Sequence, residues 1–174
     1  EGNLLSRMRK IFSGEMEEGE DAAEAVMDMV DEGYRQGVFL SSEAQMIRNI
    51  FAYGEKDAKS IMTHRKHMVA LDGEETLENA LTFILEQNKS RFPVYEEDID
   101  SIIGTIHLRD AMKCYFNEQL RHIPIKQLEE YIRPVSFIPE TRSIDKLLKK
   151  MQEGKYHMAI VIDEYGQTAG LVTM

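Results

Sequence analysis

The sequence is poor in cysteine, has no surplus of positive charge and contains no long apolar run. One cysteine among 174 residues, Cys114, excludes an intrachain disulfide and points to a reducing compartment. Asp and Glu number 31 against 21 Lys and Arg, a formal net charge of -10. That balance argues against nonspecific nucleic-acid binding, which needs clustered cations, and suits a cytosolic surface or one that meets cations. No apolar stretch approaches the ~20 residues of a membrane-spanning helix. The run at 158–162 is among the longest and is the size of a strand. The N-terminus does not resemble a signal peptide. The Walker A loop, G-x-G-x-x-G, H-E-x-x-H and G-x-S-x-G are all missing, so no catalytic residue is assigned. Ser143 and Lys146 match S-x-x-K, but Ser143 stands at a helix start, where serine is an ordinary cap. His64 and His67 lack a third or fourth ligand in sequence and read as part of a solvated basic loop, HRKH, so no metal site is assigned.

A hydrophobic fraction of 43% is close to the globular norm, and the length suits one or two small domains. The chain opens Glu1-Gly2 rather than with Met and stops directly after a strand-like segment, so it reads as a piece of a longer protein. A basic amphipathic piece, LLSRMRKIF, precedes the acidic SGEMEEGED, which reads as a solvated linker. Ala22, Val26, Met29 or Val30, and Tyr34 recur at helical spacing, and Gly37 ends that helix. SSEAQ offers a capping box at Ser42, with Met46, Ile47, Ile50 and Phe51 on one face of a helix that ends near Gly54.

Residues 68–71 read as a strand. Thr76 caps a helix in which Leu77, Ala80, Leu81, Ile84 and Leu85 share a face. Two short strands follow within SRFPVYEEDIDSIIGTIHLRD, joined by an acidic turn at Glu96, Glu97 and Asp98 whose charges keep it polar. LRDAMKCYF makes a short helix in which Cys114 is a buried structural thiol. Pro124 punctuates, and 125–132 is expected to form a helical turn or two. The pattern then returns: a strand at 135–138, a helix capped by Ser143 with Ile144, Leu147, Leu148 and Met151 on one face and Gly154 at its end, and strands at 158–162 and 168–173 around the turn DEYG. The order strand, helix, strand, turn, strand thus occurs twice, with Gly104 and Gly170 in matching places about 66 residues apart. Most of the eleven methionines fall at core-facing spacings and read as packing.

These motifs, IMTHRKHMVALD, SRFPVYEEDIDSIIGTIHLRD and AIVIDEYGQTAGLVTM, resemble a tandem pair of CBS domains, a Bateman module. The preceding DEGYRQGVFLSSEAQMIRNIFAYGEKDAKSIMT is similar to the segment before the CBS pair in the hemolysin C-like family, which includes the CorC magnesium and cobalt efflux proteins and the cyclin M transporters. The resemblance covers roughly residues 25–174. It implies an α+β fold: tandem β-α-β-β repeats packed sheet against sheet with pseudo-twofold symmetry, preceded by N-terminal helices. The expected division is a helical linker at 1–54, a first repeat at 55–123 and a second at 124–174 that lacks its closing helix. His64 departs from the family's usual Ile-Met-Thr-Pro-Arg, which removes a φ constraint and leaves an N–H to satisfy.

The resemblance further implies an adenine nucleotide, ATP or AMP, held between the repeats, with Mg²⁺ on its phosphates. One site would use Met62, Thr63, Lys89, Ser90, Arg91, Phe92, Pro93 and Thr173. Thr63 and the backbone at 90–92 would face the base, and Arg91 and Thr173 the phosphate. The family's ribose-binding Asp falls three residues past Thr173, beyond Met174. The pseudo-symmetric mate would use His107, Asp110, His157 and Met158, with Asp110 either on the ribose or simply at a helix N-terminus. The function implied is that of a regulatory, non-enzymatic module of a membrane divalent-cation transporter, homodimeric and on the cytoplasmic side of the membrane. A ligand-free dimerisation scaffold and the regulatory insert of a soluble enzyme are the alternatives.

Overall fold

A computed structural model of the protein describes residues 20–174. The basic piece at 4–12 and most of the acidic run at 13–21 lie outside them. The chain divides between Lys56 and Asp57 into two compact units.

In the first unit, helix α1 (Glu20–Arg35) gives way to Gly37 in a left-handed conformation, φ 74°. Helix α2 (Ser41–Glu55) starts two residues earlier than the Ser42 capping box predicts. Its cap is Leu40, and the Glu43 carboxylate reaches back to accept from the Leu40 N–H at 2.8 Å. The unit buries Val30 and Ala44 and ties Arg48 to Asp31. The expected apolar face of α2 is only partly covered, since Met46 and Ile50 are 62% and 70% exposed. Two helices in contact bury little beyond the line where they cross.

The second unit holds both repeats. After a short helix α3 (Ala58–Ile61) comes strand β1 (Thr63–His64) and a 3-10 turn at Arg65–His67. The first repeat runs β2 (Leu71–Asp72), α4 (Leu77–Glu86), β3 (Arg91–Glu96), β4 (Asp98–His107) and α5 (Leu108–Tyr115). The second runs β6 (Ser136–Pro139), α6 (Ile144–Gly154), β7 (Met158–Ile162) and β8 (Thr168–Thr173). Between them the segment expected to be helical has only a 3-10 turn at Ile125–Gln127 and then becomes strand β5 (Ile132–Arg133). Likewise β2 begins at Leu71, at the end of the expected strand.

The sheet orders are β2-β3-β4-β5 and β1-β8-β7-β6. In each, the parallel pair (β2·β3, β6·β7) is bridged by a helix and the hairpin pair is antiparallel. The edge strands cross over. β1, which leads into the first repeat, pairs with β8 of the second, and β5, which leads into the second, pairs with β4 of the first. The two recurrent glycines have one physical reason. A Cβ at Gly104 would sit 2.7 Å from the Arg133 carbonyl on β5, and one at Gly170 would collide with the Thr63 carbonyl on β1. Each marks the place where an edge strand's backbone presses on the sheet.

Strand β7 reads as an unbroken apolar run because both its faces are covered. Ala159 and Val161 pack with Ile138, Leu147 and Met151 beneath α6. Met158 and Ile160 point the other way and join Ile102 and Leu171 in a cluster between the two sheets. The first repeat's own core gathers Leu77, Ile84, Phe92, Val94, Ile106 and Cys114. Burial there raises the Cys114 thiol to about 11, as a structural cysteine requires. The Thr76 hydroxyl caps α4 by accepting from the Asn79 N–H at 3.4 Å. Leu85, counted with the buried face of α4 from its spacing, is 57% exposed. Ser143 occupies the cap position of α6 without a side-chain hydrogen bond, and the left-handed residue after that helix is Lys155 (φ 51°), not Gly154.

Candidate functional site

Two clefts open between the repeats. The first, of about 290 Å³, lies where the β1–β8 edge faces the start of β3. Pairing of Thr63 with Leu171 sets Thr173 two residues further along the same edge. Thr63 and Thr173 are exposed, and both line this cleft together with Lys89, Ser90 and Arg91. Leu108 donates its N–H to the Ser90 carbonyl at 2.8 Å, which fixes the backbone just before β3. Met68, Val69 and Leu171 supply apolar wall, a contribution that motif reading missed. Three expected members do not line the cleft. Phe92 is wholly buried in the first repeat's core, Pro93 is buried beside it, and Met62 packs against the second repeat's core.

The second cleft is larger, about 710 Å³, and all four residues of the alternative set line it: His107, Asp110, His157 and Met158. His157 and Met158 line the first cleft too, as Arg91 does the second. His107 caps α5, its Nδ1 accepting from the Arg109 N–H at 3.0 Å, which requires an unprotonated Nδ1. Burial and then the nearby Arg91 charge hold its pKa below the ordinary histidine value. Asp110 lies in the first turn of α5, buried, accepting from Lys113 Nζ at 3.0 Å with Arg133 at 3.8 Å. The Lys113 hydrogen bond holds its carboxyl below the usual range against the cost of burial. Asp110 thus stands at a helix N-terminus, one of the two expected roles, and in the wall of the cleft.

The strand registers show how the clefts differ. Gly170 faces His64 on β1 and Leu171 faces Thr63. On the other sheet Thr105, next after Gly104, faces Arg133. Aligning the glycines therefore sets Thr63 against Arg133 and Thr173 against His107. Where the first cleft has hydroxyls, the second has a guanidinium and an imidazole. His64 holds φ at -61°, the angle a proline would impose.

A third feature carried no signal in the motifs. Asp100, on the hairpin of the first repeat, accepts from the Thr168 N–H of β8 at 2.8 Å and from the Arg65 guanidinium just after β1. Arg65 also donates to the Thr168 carbonyl at 3.3 Å. The acidic turn is likewise more than polar surface: Glu96 pairs with Lys126 at 2.9 Å, and Glu97 takes a left-handed φ of 66°. Among the described residues no cluster of three or more His, Cys, Asp or Glu suits a metal ion, and no helix is long and apolar enough to cross a membrane.

Residues 58–117 and 125–174 match the CBS domain family. UPF0053 protein YugS of Bacillus subtilis is 38% identical over 146 residues, covering 84% of this chain and 33% of that protein. The magnesium and cobalt efflux protein CorC of Vibrio cholerae is 29% identical over 172 residues, covering 99% of this chain and 56% of that one. The chain thus spans between a third and just over half the length of these curated relatives. Among solved structures, the CBS domain of a bacterial CNNM/CorC family Mg²⁺ transporter in complex with ATP is 40% identical, with a TM-score of 0.68 over 76% of this chain and 91% of that one.

Proposed function

Since the chain belongs to the CBS domain family, as a CBS pair of the CNNM/CorC Mg²⁺ transporter kind, we propose that it is a regulatory module that binds an adenine nucleotide in the first cleft. The observation that carries this reading is the convergence there of Thr63, Ser90, Arg91 and Thr173, drawn from both repeats, beside the apolar Met68, Val69 and Leu171. The apolar wall suits a base, and hydroxyls with a guanidinium suit phosphate oxygens. The ATP complex of the 40%-identical relative supports the choice of nucleotide. Mg²⁺ is assigned to the nucleotide's phosphates. Because the cleft is built from both repeats, a nucleotide that fits one arrangement of them better than another would bias that arrangement. The bias would be felt by an attached membrane domain that moves divalent cations, with this module on the cytoplasmic side. A homodimer is the proposed assembly, since Phe83, Leu85 and Leu148 on the repeat helices stand exposed.

Calorimetric titration with ATP, ADP, AMP and adenosine, with and without Mg²⁺, tests the reading. Arg91→Ala should weaken ATP about ten- to a hundredfold, the worth of a charge-assisted hydrogen bond, and adenosine much less. Absence of heat with every nucleotide would leave the ligand-free scaffold instead.

A further inference from the structure

We infer that Asp100 and Arg65 form a positioning clasp for the first cleft, one that sets from a distance how the two walls of that site meet. The inference rests on the nucleotide reading above for the ligand, and on the contacts alone for the clasp. The Asp100 carboxylate lies on β4, in the same hairpin whose first residue, Arg91, stands in one wall of the cleft. It accepts from the Thr168 N–H at the start of β8 at 2.8 Å and from the Arg65 guanidinium. Arg65 follows β1 directly and also donates to the Thr168 carbonyl at 3.3 Å. One carboxylate thus fastens both strands of the edge that carries Thr63 and Thr173, the opposite wall.

The placement gives the contact leverage. Thr168 begins β8 and Thr173 ends it, roughly 17 Å away at the rise of a strand. Between these ends the hairpin meets the second sheet through apolar groups, Ile102 against Leu171, Met158 and Ile160. Apolar packing is non-directional and does not by itself fix how the two pieces slide or tilt. Hydrogen bonds to an ionised carboxylate are directional and among the stronger ones. The clasp therefore holds the hairpin in register on the edge, and the gap between Arg91 and the two threonines follows from it. Asp98 supports the arrangement, its carboxylate accepting from the Asp100 N–H at 2.8 Å. Thr168 is 2% exposed, so water does not readily replace the carboxylate at its N–H.

Asp100 and Arg65 line neither cleft, so they act through Thr63 and Thr173 and not on the ligand itself. The coupling runs both ways. A nucleotide that bridges Arg91 and Thr173 closes the same gap from the other end, and so makes the clasp harder to open.

The test pairs ATP titration with amide hydrogen exchange on the 174-residue chain, at a temperature where circular dichroism shows every variant folded. Asp100→Asn and Arg65→Gln should each weaken ATP about fivefold or more. The double variant should lie within about twofold of the weaker single one, since both substitutions break one device. Ile125→Val, a truncation in the first repeat's core, is the destabilised control away from the clasp. It should lower the melting temperature and leave ATP affinity within about twofold, a contrast that a merely structural Asp100 would not give. In the ligand-free protein Asp100→Asn should speed exchange along the β1–β8 ladder and leave the Arg91–His107 end of the β3–β4 ladder unchanged. That readout needs no nucleotide. Faster edge exchange in a protein whose wild type binds no ATP would sink the nucleotide reading and keep the clasp. Wild-type ATP affinity in folded Asp100→Asn, or unchanged exchange along the β1–β8 ladder, overturns the inference.

Discussion

Replacing Asp100 by Asn should loosen the contact that joins the two repeats at the edge carrying Thr63 and Thr173. The carboxylate accepts from the Thr168 N–H at 2.8 Å and from Arg65, with the two side chains 27% and 35% exposed. Asn keeps an acceptor for the Thr168 N–H but loses the charge that Arg65 meets. A hydrogen bond to a charged group contributes roughly 1.5–3 kcal/mol, and partial exposure discounts it, so about 1–2 kcal/mol should be lost. For a unit of this size that lowers the melting temperature by about 3–10 °C. The pH dependence identifies the cause. The Arg65 hydrogen bond holds the Asp100 carboxyl below its ordinary value. Its stabilisation is therefore complete above the unfolded carboxylate's pKa of about 3.9 and is lost as pH falls through the lower folded value. Circular dichroism melts should show the full gap between wild type and variant from pH 5 to 7, closing in stronger acid. Adding Arg65→Gln to the variant should cost less than adding it to the wild type. A gap of equal size at pH 7 and pH 3, or none at pH 7, would refute the ionic origin of the contact.

Gly170→Ala should destabilise by about 1–3 kcal/mol and weaken nucleotide binding, because the added methyl drives β1 and Thr63 away. Gly104→Ala should cost similar stability through β5 and the Arg133 carbonyl while sparing the nucleotide, a contrast that paired melts and titrations would check. Cys114, buried and raised to about 11, should react with a thiol reagent only as fast as the protein opens, so labelling rates should track denaturant concentration.

The order of residues alone determined much of the second unit. Leu77, Ala80 and Ile84 recur at the helical period behind a threonine cap, and they are the residues α4 buries. The unbroken apolar run of β7 signals a strand covered on both faces, and the paired glycines mark two copies of one plan. Local pattern states which side chains share a face but not what lies against that face. That is why Met46 and Ile50, periodic by every count, remain exposed on α2. Nor can local pattern say which sheet takes a two-residue strand, since a segment as short as β1 or β5 has too few side chains to choose a partner. The exchange of those edges was decided by the backbone space beside Gly170 and Gly104. Motif matching brought Thr63, Ser90, Arg91 and Thr173 to one cleft, and strand alternation turns the ring of Phe92, expected there through its backbone, into the core. Asp100 and Thr168 stand 68 residues apart. Charge and hydrogen bonding act through space, so these groups acquire their chemistry only when the two repeats close on each other.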